Sequence, residues 1–418
     1  MPSLLLQGAR VIDPAAPSDR IADVLIDHGV IRQVGPDLEA PEGSQIVKLA
    51  GSVVVPGLVD LHAHVMAGLG DFCVEPDAIG VEVGVPVVVD GGTSGVATFD
   101  ICRRAIVDHP MVRTRVLAFV DPNQLYLATG DFICHKLEIA NDLRNLDEAA
   151  LVASLDRNSE VIVGLKVRAC HVGDPEYSPF LEAAQRAAGT RPVMVHLGRF
   201  PHTPTITPTA LLQALRAGDI VTHAFRGAGG MIAPNGRPVP QLTEAVERGV
   251  RLDMGHSATD FRFAEARRLM DHGLRPYTAS TDLNIFNVGG PVFSYLENLT
   301  KLLALGFDLP EVAAVATTHA AEAIGRSGEL GSIGLGRPAE LSVIALSGDG
   351  PVPVSDGVET IMAPAAVVPV GCVRAGTWVP ARTPPTFATA GRTWGRGTWA
   401  EGDRAEGDWA EENWAEGG

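Results

Sequence analysis

The sequence predicts an α/β fold, a (β/α)8 barrel with short β strands before and after it. From residue 56 onward, apolar runs that end in a polar residue alternate with helical patterns, which is the rhythm of a parallel barrel. Strand-like runs without helices between them precede this part, and short strands return after it. Eight runs can be counted in the barrel: VVVPGLVDLHAH, PVVVDGG, TRVLAFVD, VIVGLKVR, PVMVHLG, DIVTHAF, VRLDMGH and PYTASTD.

The chain divides into three parts. Residues 1–55 and 327–382 are β segments on both sides of the barrel, so we expect them to build one small β-sandwich domain together. Residues 56–326 are predicted to form the catalytic barrel. Residues 383–418 repeat WAEG-like units with almost no aliphatic residues, which predicts a disordered acidic tail, with a partner-docking tryptophan segment as the alternative.

The composition excludes several classes of partner. A formal net charge of −17 argues against nucleic acid, because a phosphate backbone requires a basic surface. No apolar run approaches the roughly 20 residues of a membrane helix, and the N-terminal run is unlike a signal peptide. The five cysteines form no CxxC pair, which is typical of reduced thiols. We therefore expect a cytoplasmic protein with a small-molecule substrate, and a homo-oligomer is left open.

Polar residues close the eight runs, and in a parallel barrel the carboxyl ends of the strands meet at one rim. His62 and His64 are two apart, so on a strand both imidazoles would face the barrel mouth and could share one metal. A lone HxH pair is weak evidence, but single histidines close later runs and an aspartate closes the eighth. The full set is His62, His64, Asp90, Asp121, Lys166, His196, His223, His256 and Asp282.

This set of side chains indicates a metal site. Imidazole and carboxylate ligands suit zinc, and iron, manganese, nickel and cobalt stay open. A divalent ion with an open position lowers the pKa of bound water to about 7, so hydroxide becomes available near neutral pH. Lys166 closes the apolar run VIVGLK, where a buried charge is unusual. The pattern therefore predicts metal-dependent hydrolytic chemistry at the rim.

Six segments of the chain resemble, in the same order, motifs of the amidohydrolase superfamily. They are PGLVDLHAH, GLKVR, VMVHLG, DIVTHAFRG, LDMGHS and STDLN. They are most similar to the deacetylase-like branch, often described as dihydroorotase-like, which includes enzymes that act on acetylated α-hydroxy acids. The resemblance implies two divalent metals, the more buried held by His62, His64 and Asp282 and the more exposed by His196 and His223.

The resemblance also implies chemistry at two positions. Lys166, carboxylated by carbon dioxide, would bridge the two metals, which requires that burial keep its amine neutral. Asp282 would take the proton of the attacking bridging hydroxide and pass it to the leaving group. Its alternative reading from the residues alone is a helix N-cap in the Ser-Thr-Asp run.

Four further residues are candidates for substrate binding. Arg168 follows strand four and could grip a carboxylate in bidentate fashion or form a salt bridge at the rim, and Arg226 in HAFRGAGG has the same two readings. His256 closes strand seven without a metal role in the family pattern, and Asn284 lies in the loop after strand eight, so both are expected to contact substrate or support the site. The glycines of VDGGTSG and GAGG match no phosphate-binding pattern and are interpreted as loop flexibility.

The leading hypothesis is a binuclear metal-dependent hydrolase that cleaves an acyl ester or amide of a small polar molecule. A cyclic amidase of the dihydroorotase or hydantoinase type is the alternative, because fold and metals serve both and only the substrate loops differ. A non-catalytic scaffold is the third reading. Scaffold relatives have lost metal ligands, whereas this chain retains all six.

Overall fold

The computed structural model describes residues 2–125, 142–198, 204–227, 229–348 and 350–390. Its strands are β1 Leu4–Asp13, β2 Ser18–Asp27, β3 Val30–Gly35, β4 Gln45–Lys48, β5 Val53–Pro56, β6 Val59–Ala63, β7 Val87–Gly95, β8 Arg115–Asp121, β9 Ile162–Val167, β10 Val193–His196, β11 Ile220–Thr222, β12 Arg251–Leu252, β13 Leu341–Leu346, β14 Val352–Ser355, β15 Thr360–Ala363, β16 Val367–Arg374 and β17 Thr377–Pro380. Its α-helices are α1 Pro76–Ile79, α2 Val96–Cys102, α3 Glu148–Arg157, α4 Pro179–Ala188, α5 Pro208–Ala214, α6 Pro240–Glu247, α7 Phe263–Met270, α8 Tyr295–Ala304, α9 Leu309–Ala316, α10 Thr318–Ala323 and α11 Phe387–Ala390.

Strands β6 to β12 form a parallel sheet in which neighbours follow the order of the chain. This confirms the predicted α/β class, because sequential parallel strands need a crossover between each pair. Side chains alternate between two apolar clusters: Val87 and Val89 belong to the cluster that contains Ala320 of α10, whereas Val88 belongs to the cluster that contains Phe180 of α4. The polar ends of the strands are therefore left at one edge of a sheet covered on both faces.

The eighth predicted run, PYTASTD, is not a strand of the described structure. Isolated parallel bridges join Ala63 to Leu283 and Asp253 to Thr278, so the segment 278–283 lies between the edge strands β6 and β12. Hydroxyl groups of this segment donate to the buried carboxylates of Asp253 and Asp60. The segment also makes backbone hydrogen bonds to both sides, because the N–H of Met254 donates to the carbonyl of Thr278 and the N–H of His64 donates to that of Leu283. Closure into an eight-stranded barrel stays a prediction.

Both ends of the chain contribute to one eight-stranded sheet, in the order β17-β16-β13-β5-β1-β2-β3 with β4 alongside β1. Strand β5 joins the two ends, because it pairs with β1 on one side and antiparallel with β13 on the other. Leu6, Val54, Leu341 and Val373 are buried in one cluster beneath this sheet. Closure of this sheet into a sandwich domain stays a prediction.

The helix starts follow from local sequence. Ser178, Thr207 and Asp308 each accept a backbone N–H of the first turn with the side chain, and a proline stands in the first turn after each of them. Such residues satisfy donors that the helix itself cannot pair, and proline has no N–H to leave unpaired.

The stretch interpreted as a disordered tail begins with an ordered turn. Residues 387–390 form α11, and the N–H of Phe387 donates to Oε1 of Glu297 in α8 at 3.4 Å. The remainder of the predicted tail, residues 391–418, lies outside the described residues. In the described part of the chain, every helix is too short or too polar to cross a membrane.

Candidate metal centre

The HxH pair and the aspartate after the eighth run meet at the carboxyl end of the parallel sheet. The Nε2 atoms of His62 and His64 lie 3.3 and 2.9 Å from Oδ1 of Asp282. All three side chains are buried, and their ligand atoms lie within 4.8 Å of one another. Two ligand atoms bound to one zinc ion at about 2.0–2.1 Å in tetrahedral geometry lie roughly 3.3 Å apart. The three residues therefore fit one metal ion.

The backbone of Asp282 is held in a left-handed conformation with φ 52°. Its N–H donates to the carbonyl of His62 at 2.6 Å, and the amides of Asn284 and Asn287 donate to its own carbonyl at 2.9 and 2.7 Å. These bonds offset the cost of a conformation that non-glycine residues rarely adopt. The Oδ1 of Asn284 also accepts from the N–H of Phe286, so Asn284 supports the backbone of Asp282, and its contact with substrate stays a prediction.

The charge of Asp282 is set by its histidine neighbours. Burial opposes the charged form, but the interactions with His62 and His64 outweigh it and hold the pKa of Asp282 well below its ordinary value. Burial also holds the pKa of His62 well below its ordinary value, with Lys166 acting in the same direction. The centre therefore presents a carboxylate at Asp282 and a neutral imidazole at His62, the forms that bind metals.

Lys166, in β9, lies beside the HxH pair. Its side chain is buried, and its Nζ lies 3.0 Å from Nε2 of His62. Burial, together with the nearby charge of Arg168, lowers the pKa of Lys166 to about 7. A large fraction of the amine is then neutral near pH 7, as carboxylation of lysine requires.

His196 and His223 form the second half of the centre. Their ring centroids lie 4.4 Å apart, and the ring of His223 lies 5.3 Å from that of His62. Nδ1 of His223 lies 2.6 Å from the carbonyl of Gly255, so this nitrogen must carry the proton. Nε2 of His223 is buried and has no hydrogen-bond partner among the described residues. An unpaired buried lone pair fits a metal ligand, since such a group is otherwise costly.

Two glycines of VDGGTSG make room for this centre, which corrects their interpretation as a flexible loop. Gly91 and Gly92 lie inside β7 and are buried. A Cβ at Gly91 would lie 2.0 Å from Cδ2 of His62, and one at Gly92 would lie 2.4 Å from Cβ of Lys166. The glycines are therefore needed because ligands of neighbouring strands pack directly against the backbone.

The first candidate for binding an anion, Arg168, is buried beside a carboxylate. Its Nη1 lies 3.8 Å from Oδ2 of Asp121, another of the residues that close the predicted runs. Burial raises the pKa of Asp121 to about 6, although the charge of Arg168 opposes this shift. Both earlier readings of Arg168, the salt bridge and the anion clamp, therefore remain compatible with its position.

The second candidate, Arg226, lies beside Asp260, a residue that the sequence did not single out. Nη1 of Arg226 donates to the carbonyl of Leu197 at 2.8 Å, and Nη2 lies 3.2 Å from Oδ1 of Asp260. A carboxylate oxygen of Asp260 lies within 4.8 Å of ligand atoms of both His223 and Asp282. Asp260 follows the seventh run by a few residues without any motif, so only its place on the same rim could have indicated it.

Of the two roles expected for His256, contact with substrate or support of the site, its surroundings favour support. The ring is fully buried; its Nε2 lies 2.7 Å from Nζ of Lys301 in α8, and its Nδ1 lies 2.7 Å from the carbonyl of Ser257. Both ring nitrogens are thus engaged within the protein. His256 connects the loop after β12 to a buried lysine of α8, which the sequence could not show because the two residues are 45 positions apart.

Comparison with known proteins agrees with this geometry. The model of the amidohydrolase family matches residues 192–391. A deacetylase of Agrobacterium fabrum is 33% identical over 312 residues, which cover 73% of this chain and 74% of that protein. The chain therefore belongs to the amidohydrolase family and is a hydrolase.

Two further similarities cover most of the chain. A deacetylase of Brucella anthropi is 31% identical over 79% of this chain and 80% of its own length. A crystal structure of a dihydroorotase superposes with a TM-score of 0.79 and 27% identity, and the match covers 92% of this chain and 100% of that one. The expected resemblance to deacetylases and dihydroorotases is thus confirmed.

Proposed function

We propose that this protein is a binuclear metal-dependent hydrolase that removes an acyl group from an ester or amide of a small polar molecule. The observation that carries the proposal is the meeting of donors from five separate strands and loops in one buried centre. The donors are His62, His64, Lys166, His196, His223 and Asp282. We also propose that the segment 278–283 completes an eight-membered barrel around this centre.

The residues divide between two metal positions. His62, His64 and Asp282 would hold one ion, and His196 and His223 the other. This donor set, rich in nitrogen, suits zinc. When bound, two divalent ions would activate a water molecule and polarise the scissile carbonyl.

Lys166 would bridge the two positions as a carbamate. Its neutral amine would form an N–C bond with carbon dioxide and release one proton. The lowered pKa of Lys166 and its place 3.0 Å from Nε2 of His62 support this role.

Asp282 would move the proton. Its carboxylate would accept a proton from the attacking water as the new C–O bond forms, then deliver it to the oxygen or nitrogen that leaves as the scissile bond breaks. The pKa held well below its ordinary value keeps this carboxylate available as a base. The bonds from Asn284 and Asn287 to its carbonyl limit how far it can move.

We propose a compact substrate with a carboxylate near the scissile bond. Arg168 and Arg226 supply guanidinium groups at the same rim, and an arginine fork matches a carboxylate geometrically. Asp121 and Asp260 sit beside these arginines and would orient them. Deacetylation is favoured over cyclic amide cleavage, because two deacetylases are 31–33% identical over 73–79% of the chain, whereas the dihydroorotase structure that covers 92% of the chain is 27% identical.

The test combines elemental analysis with a substrate panel of N-acyl amino acids, acetylated hydroxy acids and cyclic amides. We expect close to two divalent ions per chain and hydrolysis of acyl compounds that carry a carboxylate. Turnover of cyclic amides alone would favour the cyclic amidase. Metal-free protein that hydrolyses its substrate at the full rate would overturn the proposal.

A further inference from the structure

In each histidine of the HxH pair, Nδ1 lies within hydrogen-bond distance of a threonine hydroxyl. Nδ1 of His62 lies 3.0 Å from Oγ1 of Thr222, and that hydroxyl donates to Oδ2 of Asp253 at 2.7 Å. Thr222 and Asp253 lie at the ends of β11 and β12, on the far side of the sheet order from β6.

At the other histidine, Nδ1 of His64 lies 2.7 Å from Oγ1 of Thr93, which donates to Oδ2 of Asp90 at 2.8 Å. Thr93 and Asp90 both belong to β7. The threonines and aspartates of both relays are fully buried, so bulk solvent does not reach them. Two histidines at the end of β6 are thus supported by equivalent relays, one from β7 and one from the ends of β11 and β12.

The direction of every hydrogen bond in the relays can be worked out. Asp253 also accepts from Oγ1 of Thr278 at 2.7 Å and from Oγ of Ser280 at 2.5 Å, so it acts as an acceptor throughout. A threonine hydroxyl has a single proton, and in Thr222 that proton points to Asp253. The hydroxyl oxygen can then only accept from His62.

The same argument applies to the second relay. Asp90 accepts from the N–H of Thr93 at 2.8 Å and from that of Val65 at 3.1 Å, as well as from the hydroxyl of Thr93. His64 must therefore donate from Nδ1. Nε2, the atom of each histidine that faces Asp282, is then the one that can offer a lone pair to a metal ion.

We propose that Thr222 and Thr93, each backed by its buried aspartate, are positioning residues that hold the HxH pair in the one tautomer and orientation that can ligate a metal. This inference rests on the proposed function, because it assigns the pair a metal to bind. Partners of this kind contribute about 10- to 100-fold to metal affinity in proteins. A merely structural hydroxyl would instead contribute to folding and leave metal affinity unchanged.

The test compares Thr222→Val and Thr93→Val with the wild-type holoenzyme. Valine keeps the shape of threonine and removes only the hydroxyl. Thr222→Ser is the rescue variant. Thr317→Val is the matched control, because Thr317 at the C-terminus of α9 is also fully buried, but its hydroxyl donates to the carbonyl of Ala313 in the same helix. Metal affinity is measured by competition with a chelator, and folding by thermal unfolding.

We expect metal affinity to fall about 10- to 100-fold in both relay variants, with little change in Thr222→Ser and Thr317→Val. Relay variants that keep wild-type affinity would overturn the inference. If a valine variant fails to fold, the histidine tautomers of the wild-type protein provide the test. In ¹⁵N-histidine spectra, Nδ1 of His62 and His64 must carry the proton. The opposite tautomer would overturn the inference. A wild-type protein that binds no metal would contradict the proposed function, while the spectra would still test the relays.

Discussion

A methyl group at Gly92 would test how tightly the candidate centre is packed against β7. The φ of Gly92 is +84°, and a Cβ there would lie 2.4 Å from Cβ and 2.7 Å from Cγ of Lys166. The left-handed backbone costs a residue with a side chain about 1–2 kcal/mol, and overpacking costs about 1–3 kcal/mol. We therefore expect Gly92→Ala to lower the free energy of unfolding by the sum, about 2–5 kcal/mol.

Gly173→Ala is the matched control, because Gly173 has a φ of +87° but no atom within 4 Å of its Cβ position. Only the backbone cost applies there, so its free energy of unfolding should fall by about 1–2 kcal/mol. Urea unfolding measures both variants, and elemental analysis measures their metal content. We expect only Gly92→Ala to displace Lys166 and lose metal. Equal destabilisation of the two variants, with full metal content in both, would refute the packing argument.

Four further predictions concern the centre and the end of the chain. Asp282→Asn should lower turnover by roughly 10² or more, while the exposed control Asp271→Asn should not; near wild-type turnover at full metal content would contradict the proton role. Lys166→Ala should lose the bridged metals, which elemental analysis of purified protein checks. Arg226→Met should lower kcat/KM on an anionic substrate, by a loss of transition-state stabilisation of about 1.5–3 kcal/mol, and leave kcat/KM on neutral analogues unchanged, as steady-state kinetics would show. Deleting residues 391–418 should leave Tm and activity unchanged, because this segment lacks a core-forming pattern; a large fall in Tm would argue against it.

Much of the candidate centre could be predicted because ligand positions follow strand ends. Apolar runs closed by His196 or Lys166 mark buried strands, and parallel strands bring their carboxyl ends to one edge. The exception among the runs is PYTASTD, which makes backbone bonds to both edge strands without forming a regular strand and whose hydroxyl groups bond to buried carboxylates. The run by itself does not reveal these side-chain bonds, since their acceptors, Asp60 and Asp253, lie in other parts of the sequence.

The sequence by itself determined the α/β class, the order of the elements and the residue types that gather at the rim. Only the tertiary structure decided what each polar group touches: Asn284 and His256 bond within the protein, Asp260 joins Arg226, and Gly92 makes room for Lys166. The physical reason is the range of the forces involved. Hydrophobic periodicity is a property of neighbouring residues along one strand, whereas a hydrogen bond or a close contact requires a partner within about 3–4 Å, and that partner comes from a distant part of the chain.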